Sequence, residues 1–154
     1  MPLEYDFEES IGYFVYMAGQ AMEKAMTEEL AALGITYRQW QVLAWIAHDG
    51  HLAQSELADR LRVEAPTLVG ILDRMERDGW IVREADPHDR RRKIIRPTDR
   101  VTPFWERMVA CARAMRNRAT DGILPEDLAR TKQLLERILE NLGCPYRQLD
   151  HTEI

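Results

Sequence analysis

The residues able to do chemistry cluster between positions 64 and 96. From Asp89 to Arg96 the chain carries Arg90, Arg91, Arg92, Lys93 and Arg96 against one acid. Five cations so close together suit the phosphates of a nucleic acid, and an arginine among them can enter a narrow minor groove, where the negative potential is enhanced. The competing reading is a solvated charge run held by local pairs. Asp86 and Asp89 are poor partners for DNA, so Asp89 is expected to hold an arginine in orientation through a charge-assisted hydrogen bond. Just upstream, a helix opening near Glu64 and Pro66 has two faces. At 100° per residue from Thr67, Leu68, Ile71, Leu72 and Met75 fall between about 40° and 140°. Pro66, Gly70, Asp73, Arg74 and Arg77 fall between about 240° and 340°. The first stripe can pack on neighbouring helices; the second can enter a major groove with its N-terminal residues on base edges. Glu64, Pro66, Thr67, Gly70 and Arg74 are the candidate contacts there, although any amphipathic surface helix has a similar wheel.

Other elements must position that pair. Apolar residues at Phe7, Ile11, Phe14, Val15, Ala18, Met22, Ala25, Met26 and Leu30 predict a long first helix over residues 7–32. Thr36 caps a second, with Trp40, Leu43, Ala44 and Ala47 on the stripe expected to be buried and Gly50 just past its end. The segment SELADRL gives a short third helix, and Pro66 and Gly79 bracket the fourth. Trp80–Arg83 and Lys93–Arg96 read as two strands around a basic tip. Helical spacing resumes from Pro103 through Phe104, Met108, Cys111 and Met115, and again from Leu128 to Leu142. The predicted fold class is mainly α (α+β): a winged helix-turn-helix lobe over residues 36–98 with a two-stranded wing. Terminal helical segments at 1–34 and 101–145 flank it, with a tail at 146–154, all in one domain.

With 154 residues, 45% hydrophobic and 31% charged, the chain has neither a disordered tail's composition nor a membrane protein's. No apolar run is long enough to span a bilayer and the start is acidic, so a cytoplasmic protein is expected, nucleoid-associated when on DNA. The net charge of -5 hides an uneven distribution: -6 over residues 1–30, +4 over 31–120 and -3 over 121–154. Of the 21 basic residues 18 are arginine, suited to bidentate contacts with phosphates and base edges. Cys111 and Cys144 have no nearby Cys or His partner and are expected reduced; His48 and His51 read as a polar turn, so neither metal nor cofactor is expected. No GxSxG, glycine-rich phosphate loop or HExxH is present, which argues against an enzyme.

The stretch VEAPTLVGILDRMERDGWIVREADPHDRRRKIIRPT resembles the recognition helix and wing of the MarR family of bacterial transcription regulators, closest to its SlyA branch. Asp89 and Arg91 match the family's wing pattern of an Asp, one residue, then Arg. The resemblance implies a homodimer whose terminal helices interlock, reading a palindromic double-stranded DNA operator. Pro66 and Thr67 match the start of the reading helix, Arg91 the minor-groove arginine and Asp89 its orienting partner. Gly70, Arg62 and Pro97 depart from the family pattern, which bars borrowing a relative's target sequence. Many members release DNA when a small aromatic or phenolic effector binds between lobe and dimer helices, and Tyr13, Tyr16, Met17, Trp40, Trp45, Trp105 and Met108 are candidate lining residues. Core packing is the alternative for each. The expected function is a repressor relieved by such an effector. Alternatives are an effector-independent or redox-responsive regulator, or a winged-helix protein-interaction adaptor.

Overall fold

A computed structural model describes Met1 and residues 3–144. They divide into two compact units, one up to Met115 and one from Arg116 on. The first helix, α1 (Ile11–Leu30), begins later than its apolar spacing suggests. The Asp6 carboxylate takes the amides of Glu8 and Glu9, and the Ser10 side chain accepts from the Tyr13 amide at 3.3 Å. These side chains satisfy donors that a longer helix would have bonded internally, so Phe7 lies ahead of the helix. Of its apolar residues only Met26 and Leu30 are buried; Ile11, Phe14, Val15 and Met22 are exposed.

Thr36 and Gln39 form a reciprocal capping box at the start of α2 (Tyr37–Asp49), which explains how Gln39 is buried at no polar cost. The buried positions are Val42, Leu43 and Ile46, while Trp40 and Ala44 are half-buried and Ala47 is exposed. The arc is wider and rotated from the expected stripe because α3, α4 and the sheet all pack against this helix. The helix-turn-helix follows as α3 (Gln54–Leu61) and α4 (Ala65–Arg77). Its turn places Arg62 at φ 53°, a left-handed conformation that favours glycine. Leu68, Ile71, Leu72 and Met75 are all buried, as their spacing predicts. Gly79 (φ 78°) ends α4 with the paired bonds Gly79 N–H to Glu76 O and Trp80 N–H to Met75 O.

The wing is β2 (Ile81–Ala85) and β3 (Lys93–Pro97), antiparallel with Arg83 opposite Ile95. A third strand joins it: β1 (Leu52–Ala53) pairs with the other edge of β3, Leu52 opposite Ile95. Sequence reading stops at two strands because two residues carry no periodicity. The core gathers Leu43, Leu57, Leu68, Leu72, Met75 and Ile95 with Met26 and Leu30 from α1. The fifth helix, α5 (Thr102–Ala119), adds a fully buried Met108, with Cys111 and Met115 half-buried. In the second unit α6 (Pro125–Asn141) has no buried residue. The expected tail at 146–154, with Pro145, lies outside the described residues. No described helix is long and apolar enough to cross a membrane.

Candidate nucleic-acid interface

On α4 the burial of one stripe turns the other outward. Glu64, Pro66 and Thr67 are exposed at its N-terminal end, Gly70 is half-buried and Arg74 is exposed. The Arg74 guanidinium lies beside Gly70, 3.7 Å from where a Cβ would sit, so a side chain there meets only ordinary van der Waals contact.

The wing sorts its cations into two groups. Arg92 Nη2 donates to Glu56 Oε1 at 3.0 Å, and Arg92 Nη1 is 3.8 Å from Asp86. Glu56 also accepts from the Ala53 amide, so one carboxylate joins the start of α3 to the wing. Arg96 donates to Glu84 at 2.6 Å and meets the His51 ring. Arg83 is held most firmly: Nη2 reaches Asp73 Oδ1 at 2.6 Å and Glu76 Oε2 at 2.7 Å, and its own amide donates to Glu76 Oε1 at 3.2 Å. The hydrogen bond from Arg83 holds the Glu76 carboxyl below its ordinary range, and the same bond raises the guanidinium further. Arg90, Arg91 and Lys93 are exposed and enter no ion pair among the described residues. Asp86, buried, accepts from the His88 amide, and its own amide bonds Arg92 O, closing the tip loop. Asp89 Oδ1 accepts from the Arg91 backbone amide at 3.0 Å, so it holds Arg91 through the main chain. The Asn- and Asp-type turn it makes is the usual way a short carboxylate orders a loop.

A cleft of about 530 Å³ opens between α2 and the segment from Pro97 into α5. Leu43, Ile46, Thr98, Val101, Trp105 and Arg107 are among its walls. Of the seven residues proposed to line a pocket, Trp105 does so, with Trp40 stacked on it at 5.6 Å. Met108 is wholly buried in the core, and Trp45 packs with His48 and Arg60. Tyr13, Tyr16 and Met17 stand on the exposed face of α1. Apolar spacing marks which residues avoid water, and it does not say whether they face a core or a cleft.

A family profile described as MarR family matches residues 33–92, from the end of α1 to the wing tip. The crystal structure of transcriptional regulator PA3341 is 33% identical and superposes with a TM-score of 0.80, covering 87% of this chain and 98% of its own. The chain belongs to the MarR family. A MarR mutant from Escherichia coli, complexed with operator DNA, covers 88% of this chain and 99% of its own at 26% identity and a TM-score of 0.80. The multiple antibiotic resistance protein MarR of Salmonella typhimurium is 28% identical over 130 residues, 84% of this chain and 90% of that protein. This MarR-family chain is therefore a transcription regulator and not an enzyme.

Within that frame sequence reading missed the residues that hold the interface in place. Asp73, Glu76 and Arg83 were legible in one respect: acids three apart on the polar face of a helix, followed by an arginine in the next strand. Thr98 and Arg100 carried no signal in the sequence. The Thr98 hydroxyl donates to Gly79 O, and Arg100 donates to Asp78 O while lying 4.5 Å over the Trp80 ring. The corner between α4 and β2 is pinned from both sides.

Proposed function

We propose that this regulator is a homodimeric repressor of a palindromic double-stranded operator, released by a small aromatic or phenolic effector. The observation that carries the DNA reading is the division of the wing's cations. Arg83, Arg92 and Arg96 brace the wing against α3, α4 and the sheet, whereas Arg90, Arg91 and Lys93 at its tip have no ion-pair partner among the described residues. Braced cations cost little ordering on binding, and free ones release counterions from DNA. Pro66 and Thr67 then meet base edges in the major groove, flanked by Glu64, Gly70 and Arg74, while Arg91 enters the minor groove. A relative complexed with operator DNA supports the DNA reading.

A second copy of the chain is the proposed cover for α1. Tyr5, Phe7, Tyr13 and Phe14 form an exposed edge-to-face ladder with centroids 4.6 to 5.7 Å apart, a face that water does not favour. The effector is assigned to the cleft beside Trp105, whose volume lies in the usual small-molecule range. Its indole offers an aromatic wall and Arg107 a polar end. Thr98 links that cleft to Gly79 at the end of α4, so a ligand there bears on the corner that sets the wing.

Footprinting on the DNA flanking the protein's own gene, repeated with a panel of aromatic acids, tests both halves. A two-fold symmetric footprint that weakens steeply with salt and retreats with one of the acids is expected. Absence of protection at low salt overturns the DNA reading. Protection that every acid leaves unchanged overturns the effector alone. Sedimentation as a stable monomer at micromolar concentration removes the dimer and with it the expectation of a palindrome.

A further inference from the structure

Arg83 is the most enclosed of the paired wing cations, its side chain 22% exposed against 42% for Arg92 and 37% for Arg96. Its guanidinium spans two carboxylates one helical turn apart on the outward face of α4, and Glu76 uses its second oxygen on the Arg83 amide. One carboxylate thus grips both the backbone and the side chain of β2. On the opposite side, Thr98 and Arg100 pin the carbonyls of Gly79 and Asp78. Between these two attachments lies Gly79 at φ 78°, the residue about which the wing could pivot relative to α4. A lysine cannot replace the fork, since a single ammonium lacks the planar set of donors that meets two acids at once.

We propose that Arg83 is a positioning residue for DNA recognition: by tying β2 to Asp73 and Glu76 it fixes the distance from the base-reading end of α4 to the wing tip. That distance sets which spacing between a major-groove half-site and its flanking narrow minor groove the protein accepts. Arg83 also neutralises two acids that otherwise face the phosphates. The proposal rests on the DNA interface described above, and it concerns how the two contacts are held in register and not whether they exist.

The test uses a duplex that the full-length protein selects from a random library, and the same duplex with its flanking A·T tract moved by one base pair, about 3.4 Å along the axis. The wild type is expected to lose about tenfold in affinity on the shifted duplex, the scale of one mismatched position. In Arg83→Met combined with Asp73→Asn and Glu76→Gln, the clamp is gone and so are the acids it masked. This variant is expected to lose less than about threefold on the same shift. A merely structural role lowers affinity on both duplexes by one factor and leaves their ratio at the wild-type value, which overturns the proposal. If the triple variant does not melt cooperatively, Arg83→Lys carries the test: a reduced shift penalty supports the clamp and a wild-type penalty overturns it. The underlying interface fails in a different way. In that case Arg91→Ala binds as tightly as the wild type and the wild type ignores the shift, and the positioning role falls with it.

Discussion

In α4, Leu68, Ile71, Leu72 and Met75 are all buried, while in α6 the equally regular Leu134, Leu135 and Leu139 remain exposed. Upstream, α1 behaves like α6: Ile11, Phe14, Val15 and Met22 lie outside the core although their spacing is as good as that of α4. The polar side chains differ too. Those of the winged lobe are tied across elements, α3 to the wing through Glu56 and α4 to the wing through Arg83. In α6 the ion pair of Arg137 with Glu140 is local and exposed. A repeat in sequence therefore specifies an apolar face but not its partner: the stripe of α4 is covered within the lobe, whereas Ile11, Phe14, Val15 and Met22 of α1 and Leu134, Leu135 and Leu139 of α6 stay exposed.

The largest expected effect tests that division. Leu72→Ala empties a fully buried site and should cost about 2 to 5 kcal/mol at any protein concentration. Leu139→Ala removes a side chain that is 36% exposed in the single chain, so its cost should stay below about 1 kcal/mol in dilute protein and grow with concentration if a second copy covers it. Denaturant titrations of both variants over a hundredfold range of concentration measure this. Equal, concentration-independent losses would erase the distinction between the two regions.

The next effect separates cations inside the lobe. Arg91→Ala should weaken binding to all duplexes and lower the slope of log affinity against log salt by about one unit. Arg92→Ala should leave that slope near the wild-type value, because Glu56 and Asp86 already occupy its charge, and cost at most about 1 kcal/mol of stability. Asp89→Ala makes the wing more positive, yet it releases the Arg91 amide and should impair specific binding. Should Asp89→Ala instead tighten specific and non-specific binding alike, the tip is only a basic patch.

These contrasts explain what the sequence could reveal. The helices of the lobe, the capping role of Thr36, the core stripe of α4 and the hairpin around residues 86–92 follow from local rules of periodicity, capping and turn chemistry. The start of α1 was misplaced because Asp6 and Ser10 settle it through hydrogen bonds that a pattern of apolar residues does not register. Strand β1 was missed because its pairing with Ile94 and Ile95 is non-local. The basic tip was legible as charge, but its division into bracing and free arginines depends on acids up to 36 residues away. The cleft was not legible in the aromatic residues because, apart from Trp105, its walls are aliphatic, proline, threonine and charged side chains from two segments distant in sequence.

A smaller effect comes from Arg62, the lone non-glycine with positive φ among the described residues. Arg62→Gly relieves a left-handed conformation that costs about 1 kcal/mol or more for a side chain, and loses some of that gain to the greater freedom of glycine in the unfolded chain. A net stabilisation of about 0.5 kcal/mol, seen as a rise of about 1 to 2 °C in Tm, is expected. A fall in Tm would mean that the Arg62 side chain contributes more than its backbone strain costs.

The smallest effect concerns pH and the brace between α4 and β2. Arg83 holds the Glu76 carboxyl below its ordinary value when folded, so the unfolded chain takes up that proton first as pH falls. The stabilisation from this carboxylate is therefore fully present above the unfolded value, about 4.3, and is lost as pH falls through the lower folded value. Denaturant unfolding of the wild type and Glu76→Gln from neutral pH downward isolates it, since carboxylates elsewhere titrate in both and cancel in the difference. The wild type should lead at neutral pH, with the lead shrinking as pH drops below about 4.3. Because Asp73 bonds the same guanidinium, the pair is measured again in an Asp73→Asn background. There Arg83 has only Glu76 to answer to, and the pH-dependent lead should persist. A lead that stays constant with pH in both backgrounds means that the Glu76 charge contributes nothing to folding, and the brace then acts through shape and the neutral hydrogen bond to the Arg83 amide alone.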